Sequence, residues 1–172
     1  GSALTLPSSS VMLATGTLAG NKSWVTPGDE DVYNQLNSEA AAELGFSSDE
    51  TNDAASLEFS FTADEGIESV TFSLIYATSE EIGDMEYLDA AVVMVDGENY
   101  AVFPNGYLLS NANGDFLCET DGDIITGFYN ISPVQKVTAL LDPEVSIHTM
   151  KVAIADNNDC SVPSAILITG LT

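Results

Sequence analysis

Ala90-Ala91-Val92-Val93-Met94-Val95-Asp96-Gly97-Glu98-Asn99-Tyr100-Ala101-Val102-Phe103 is the stretch on which the fold turns. A continuous apolar run ends at Asp-Gly, a pair that accepts the positive φ angles of a tight two-residue turn, and Asn99 to Phe103 follows as the return strand. The same period is plainer upstream. In Leu57-Glu58-Phe59-Ser60-Phe61 the apolar residues alternate with polar ones, so Leu57, Phe59 and Phe61 are expected to face a core. Val70 to Tyr76 repeats the pattern, and the polar residues from Thr62 to Ser69, with Gly66, predict a turn joining the two as a hairpin. Further strands are expected at Asp123 to Tyr129, Val134 to Leu141, Ile147 to Ala155 and Ser164 to Leu171. One short helix is predicted from Ser38 to Gly45, where Ser precedes Ala-rich helix formers and Gly closes the segment. Short strands with polar turns every ten residues or so predict an all-β fold, an antiparallel, jelly-roll-like β-sandwich with long loops.

The chain has 172 residues, 45% of them apolar, which suits one domain (residues 1–172) with a real core and excludes a disordered acidic tail. Gly1-Ser2 reads as a cloning scar. Three Lys and no Arg face 27 Asp and Glu, a net charge of −24. Such a surface repels phosphate backbones and anionic lipid, so nucleic acid is excluded as a partner and direct membrane insertion is not expected. No stretch reaches the roughly 18 continuous apolar residues of a membrane helix. Cys118 and Cys160 lack the spacing of a zinc or redox pair; a disulfide and two buried thiols both remain open.

Seven carboxylates crowd into Glu80-Glu81-Ile82-Gly83-Asp84-Met85-Glu86-Tyr87-Leu88-Asp89 and Asp156-Asn157-Asn158-Asp159, each at the end of a strand-like run. Oxygen groups at this density repel one another unless solvent or a cation separates them, and a hard cation taking six to eight oxygens is calcium. The candidate ligands are Glu80, Glu81, Asp84, Asp89, Asp156, Asn158 and Asp159, with Asn52 and Asp53 contributing from the start of another strand. Solvated acidic loops are the plain alternative, and for Asn52-Asp53 it is an Asx turn opening the strand. Asp29-Glu30-Asp31 and Glu119 to Asp123 are read as solvated turns. The calcium template D-x-[DN]-x-[DN]-G is absent, as are GxSxG and HExxH. Paired carboxylates also suit glycoside hydrolysis, but no pair stands out among so many, and no enzymatic activity is expected. The single histidine, His148, alternates with Met150, Val152 and Ile154, the pattern of a core or strand-end residue. Tyr87 and Asn157 lie close enough in sequence to touch a ligand held there, and Trp24, Tyr107 and Tyr129 are further aromatics in loops or at strand ends.

Val11-Met12-Leu13-Ala14-Thr15-Gly16, Thr51 to Phe61, Ala77-Thr78-Ser79-Glu80-Glu81, and Ala153-Ile154-Ala155-Asp156 through Ser164-Ala165-Ile166-Leu167-Ile168 resemble, in order and spacing, the choice-of-anchor L domain. The resemblance spans roughly residues 11 to 170. Within that group the chain looks most like the peptide-binding domain of large bacterial RTX adhesins. The resemblance implies an extracellular, calcium-loaded β-sandwich on the bacterial cell surface, a monomeric module of a larger chain. Its expected partners are short C-terminal peptides of cell-surface proteins, bound in adhesion and biofilm formation, with calcium helping to receive the terminal carboxylate. Two departures stand out: Pro163 replaces an Asp often found before the last strand, and the Asn usually found past Ser-Glu-Glu is not obvious, although Asp84 and Asp89 can supply its oxygen. Recognition of a carboxylate by so anionic a chain requires a cation, and with only Lys22, Lys136 and Lys151 the metal is favoured. A calcium-dependent carbohydrate-binding module, using exposed aromatics on glycans, is the competing function.

Overall fold

A computed structural model of the chain describes residues 10–15, 50–119, 128–158 and 161–172, together with Ala42, Gly45 and Ser47. Eleven strands form among them: β1 (Ser10–Ala14), β2 (Thr51–Phe61), β3 (Ser69–Thr78), β4 (Ala90–Val95), β5 (Glu98–Asn99), β6 (Leu109–Ser110), β7 (Cys118–Glu119), β8 (Asn130–Ile131), β9 (Gln135–Leu140), β10 (His148–Asn157) and β11 (Ser164–Thr169). They make two antiparallel sheets. One runs β1-β11-β3-β8-β7, with β9 pairing a different length of β3; the other runs β2-β10-β4-β5, with β6 on β4. The expected all-β sandwich is therefore present. Among the described residues no helix is long and apolar enough to cross a membrane. The helix expected from Ser38 to Gly45 lies outside the described residues but for its Ala42 and Gly45.

The Asp96-Gly97 turn forms as read. Both residues have positive φ, 48° and 85°, the type I′ geometry whose twist matches the flanking strands, and Met94 and Val95 pair with Asn99 and Glu98. Strands β9, β10 and β11 fall within two residues of their expected bounds. The predicted hairpin of Leu57–Phe61 with Val70–Tyr76 does not form. Among the described residues β2 pairs only with β10, and β3 pairs with β11, β8 and β9, so residues 62–68 carry the chain from one sheet to the other. Alternation records which face of a strand is buried, and is silent on which strand lies beside it. Of the strand expected from Asp123 to Tyr129, residues 120–127 lie outside the described residues; Phe128 packs on the outer face of the β3 sheet and pairing begins at Asn130.

The core lies between the sheets. Phe72, Leu74 and Tyr76 of β3 and Ile166 and Ile168 of β11 meet Ala91, Val93 and Val95 of β4 and Met150, Val152 and Ile154 of β10. The outer faces are covered as well, with Ala90, Val92, Ala153 and Ala155 buried on one sheet and Ile75, Ala77, Ala165 and Leu167 on the other. Burial on both faces explains why β4 reads as a continuous apolar run while β2 alternates. Leu57, expected to face the core, is instead exposed: among the described residues β2 is the edge strand of its sheet, and of its side chains Ala55, Phe59 and Phe61 pack on the inter-sheet cluster.

Candidate functional site

Followed toward one end of the sandwich, the inward positions of the strands change character together. β10 passes from Val152 and Ile154 to Asp156, β4 is preceded at the same parity by Asp89, β11 begins with Ser164, β3 ends with Thr78, and Thr15 follows β1. Two-residue periodicity carries these polar side chains into the space that the apolar ones fill further in. Asp89, Thr15, Thr78 and Ser164 are fully buried and Asp156 is 1% exposed. Ser164 Oγ donates to Asp89 Oδ2 at 2.5 Å and lies 2.7 Å from Thr78 Oγ1, so this layer joins the two sheets. The Tyr76 hydroxyl donates to the Asp89 carbonyl at 2.9 Å. Thr15 closes the layer, with its Oγ1 accepting from the Ser164 amide at 2.9 Å.

Asp53 arrives by a different route. It was expected just ahead of a strand, yet β2 already begins at Thr51, and the register slips between Ile154↔Ala55 and Asp156↔Asn52. The extra residue of this bulge is accommodated by Asp53 in the left-handed region at φ 46°, which replaces the Asx turn considered for it. The bulge leaves Asp53 buried and close enough to Asp156 for their charges to interact.

Burial, followed by the charge of Asp89, pushes the Asp156 carboxyl well above its ordinary range, and Asp53 adds to the same effect. Asp89 and Asp156 hydrogen-bond to one another, which two bare carboxylates cannot do. Burial and the neighbouring Asp89 likewise raise the Tyr76 phenol well above its usual value, so it stays a neutral donor. Neither described lysine reaches this end: Lys151 pairs with Glu58 at 3.8 Å, and Lys136 lies on β9 opposite Ser73. Among the described residues no basic side chain balances the charge of this group.

The loop from Ser79 to Asp89 roofs the layer, and Asn111 holds it. This buried side chain accepts from the Asp89 amide at 3.0 Å and donates to the carbonyls of Glu81 at 3.2 Å and Tyr87 at 2.8 Å, and its own carbonyl accepts from the Gly83 amide at 2.9 Å. Gly83 takes φ 82°, which a side chain would strain. Asn158, itself at φ 75°, donates from Nδ2 to the Glu86 carbonyl at 2.6 Å and thereby joins the two acidic stretches.

Of the residues singled out in the sequence, Asp53, Asp89 and Asp156 come together. Glu80 is buried beside them, its amide bonded to Thr78 Oγ1 at 2.9 Å and its carbonyl accepting from Asn130. Glu81 is exposed, Asp84 caps a local turn by accepting from the Glu86 and Tyr87 amides, and Asn52 bonds to the Glu50 carbonyl; none of these three joins the buried group. Asn157 is half-buried and Tyr87 is exposed at the loop surface. Asp159 lies outside the described residues, as do Cys160, Trp24 and Asp29–Asp31, whereas Cys118 is exposed as a free thiol. Thr15, Tyr76, Thr78, Asn111 and Ser164 were missed. The first, third and fifth were findable by continuing the inward parity of each strand one step past its apolar run.

The donor set suits a hard cation in its chemistry: buried carboxylates drawn together, with Asp156 Oδ1 and Asn157 Oδ1 buried and lacking a hydrogen-bond partner among the described residues. It is not a closed cage. Among the described residues no three His, Cys, Asp or Glu side chains are placed to hold a metal ion, so a cation here would need backbone or amide oxygens as well. Compared with known proteins, the chain matches no family model and no curated protein.

Proposed function

We propose that the chain is a calcium-dependent ligand-binding module of a bacterial surface adhesin, the role implied by its resemblance to the peptide-binding domains of RTX adhesins. What carries the reading is the unpartnered Asp156 Oδ1, buried among Asp89 and Asp53 at an end of the sandwich that no described lysine reaches. Asp53, Asp89, Asp156 and the Asn157 amide would hold the ion, with Asp159 close by in sequence. Bound there, calcium neutralises the carboxylates and offers a Lewis-acidic position to an anionic ligand group. The residues around it do the rest: Ser164, Thr78 and Tyr76 orient Asp89, and Asn111 sets the loop that presents Tyr87. On this reading the ligand is a short peptide whose terminal carboxylate approaches the ion, and avidity on a cell surface comes from many weak contacts.

A carbohydrate-binding role has one observation in its favour. Tyr87 and Tyr129 are 37% and 60% exposed, and both flank this end, Tyr129 adjoining Asn130 opposite Thr78. Aromatic faces of this kind stack on sugar rings. Calorimetric titration separates the two readings. A free-acid peptide should bind at least tenfold more tightly than its C-terminal amide, about 1.4 kcal/mol, and only with calcium present. Equal binding of acid and amide removes the carboxylate mechanism, and saturable saccharide binding without peptide binding puts the carbohydrate module in its place.

A further inference from the structure

At the other end of the sandwich, roughly 26 Å away along β10 at about 3.3 Å per residue, a recess of about 500 Å³ opens beside His148. The histidine is 95% buried, with Phe61 tilted against its ring at 5.4 Å between centroids. Its Nδ1 lies 2.7 Å from Asp96 Oδ2. Asp96 also accepts from the Asp142 amide at 3.0 Å and the Thr149 amide at 2.9 Å. Burial acts to raise the Asp96 carboxyl, but these amides and the His148 contact outweigh it and hold the group below its ordinary value, so it is an ionised acceptor. That contact commits Nδ1 to Asp96 and leaves Nε2, which has no hydrogen-bond partner among the described residues, to the recess that the ring lines.

The rest of the lining is of two kinds. Asp64, Glu68 and Asp142 supply carboxylates, while Ile67, Leu140 and Val145 supply apolar surface, and no lysine is among the lining residues. Those three apolar side chains are 54%, 65% and 42% exposed. We propose that this recess binds an aliphatic ammonium group, with the carboxylates receiving the charged head beside the open edge of His148 and Ile67, Leu140 and Val145 covering the stem. A donor cation meets three anions, and a neutral or anionic group of the same shape meets unpaired acceptors or like charge. The volume suits one extended alkylamine, such as a polyamine or the side chain of a lysine. This site is independent of the acidic end and of any calcium held there.

Hexylammonium, 1-hexanol and hexanoate, titrated into the isotope-labelled full chain in saturating calcium, test the assignment through backbone amide shifts. Hexylammonium should move amides within residues 63–68 and 140–148 saturably and bind at least tenfold more tightly than hexanol, with hexanoate inert. Asp64→Asn with Glu68→Gln, both at exposed positions, should weaken hexylammonium at least fivefold and leave hexanol unchanged. Equal affinity for hexanol and hexylammonium overturns the proposal, and so do non-saturating shifts spread over the acidic surface or shifts confined to the Asp156 end. Spermidine and a blocked lysine peptide then decide the source: tighter binding of the first assigns a free polyamine, and of the second a partner protein's lysine, and either order upholds the site.

Discussion

Near one end of β10 the Asp156 carboxylate is buried, near the other Asp96 is half-buried, and the two are held in opposite ways. Asp96 is met by two backbone amides and a histidine and is kept ionised below the ordinary range. Asp156 meets the Thr15 hydroxyl but also two other acids, and burial pushes its carboxyl upward with one oxygen left without a partner. Burial opposes ionisation at both, so the difference lies in the count of donors. An acid surrounded by donors has its charge offset; an acid surrounded by acids does not.

The largest effect expected from that contrast is on calcium. Because the ion would bind the folded state alone, a thousandfold excess over its Kd should stabilise the protein by about 4 kcal/mol, and chelation should reverse this in scanning calorimetry. An unchanged melting curve after verified calcium removal would leave the acidic end to a shared proton. Next in size is Asn111→Ala, which strips one acceptor and two donors from the buried loop anchor and should cost about 3 kcal/mol in denaturant titration. Loss of that stability with calcium affinity unchanged would detach the loop from the site.

A smaller and more diagnostic change is Asp156→Asn. Removing one of the crowded charges should stabilise the calcium-free protein at neutral pH by roughly 1 kcal/mol while abolishing most of the stabilisation by calcium. Glu81→Gln, at an exposed position, should stay within about 0.5 kcal/mol in either condition. Equal effects of the two would mean that the buried acids are not the ligands.

The pH dependence separates the ends without any metal. For Asp156 the folded value is raised, so its contribution is complete below the ordinary carboxylate value of 3.8 and is lost as pH rises through the folded one. For Asp96 the folded value is lowered, so its contribution is present above 3.8 and is lost as pH falls through the folded one. Calcium-free protein should therefore gain stability on mild acidification and lose it again in stronger acid. Asp156→Asn should flatten the first limb and Asp96→Asn the second; the reverse assignment would break the comparison.

Much of the fold was legible because local chemistry decided it. Asp96-Gly97 demanded a type I′ turn, and the alternation in β3 and β10 marked inward faces that the structure confirms. The partners of β2 and β3 were not legible, since the connection of residues 62–68 joins neighbours in sequence that belong to different sheets. At the acidic end the carboxylates announced themselves, but their sorting did not. Glu81 and Asp84 look like Asp89 in sequence, and only the parity of β4 and the grip of Asn111 turn one inward and leave the others at the surface. Asp53 was proposed as a ligand, but for a different position, because a bulge arises from pairing with β10 and leaves no mark in its own strand.

β10 also sets when these sites can exist during folding. The β4–β5 hairpin is local and can close within microseconds, whereas β10 must find β2 and β4 across long intervening segments, and Thr15 meets Ser164 at a separation of 149 residues. Until that docking occurs, Asp53, Asp89 and Asp156 are solvated acids on separate pieces of chain, and His148 has no Asp96. Contacts made so late contribute little to the folding transition state. An ion captured by them should slow unfolding while leaving the folding rate nearly unchanged, so that the acidic end acts as a latch on a structure already assembled.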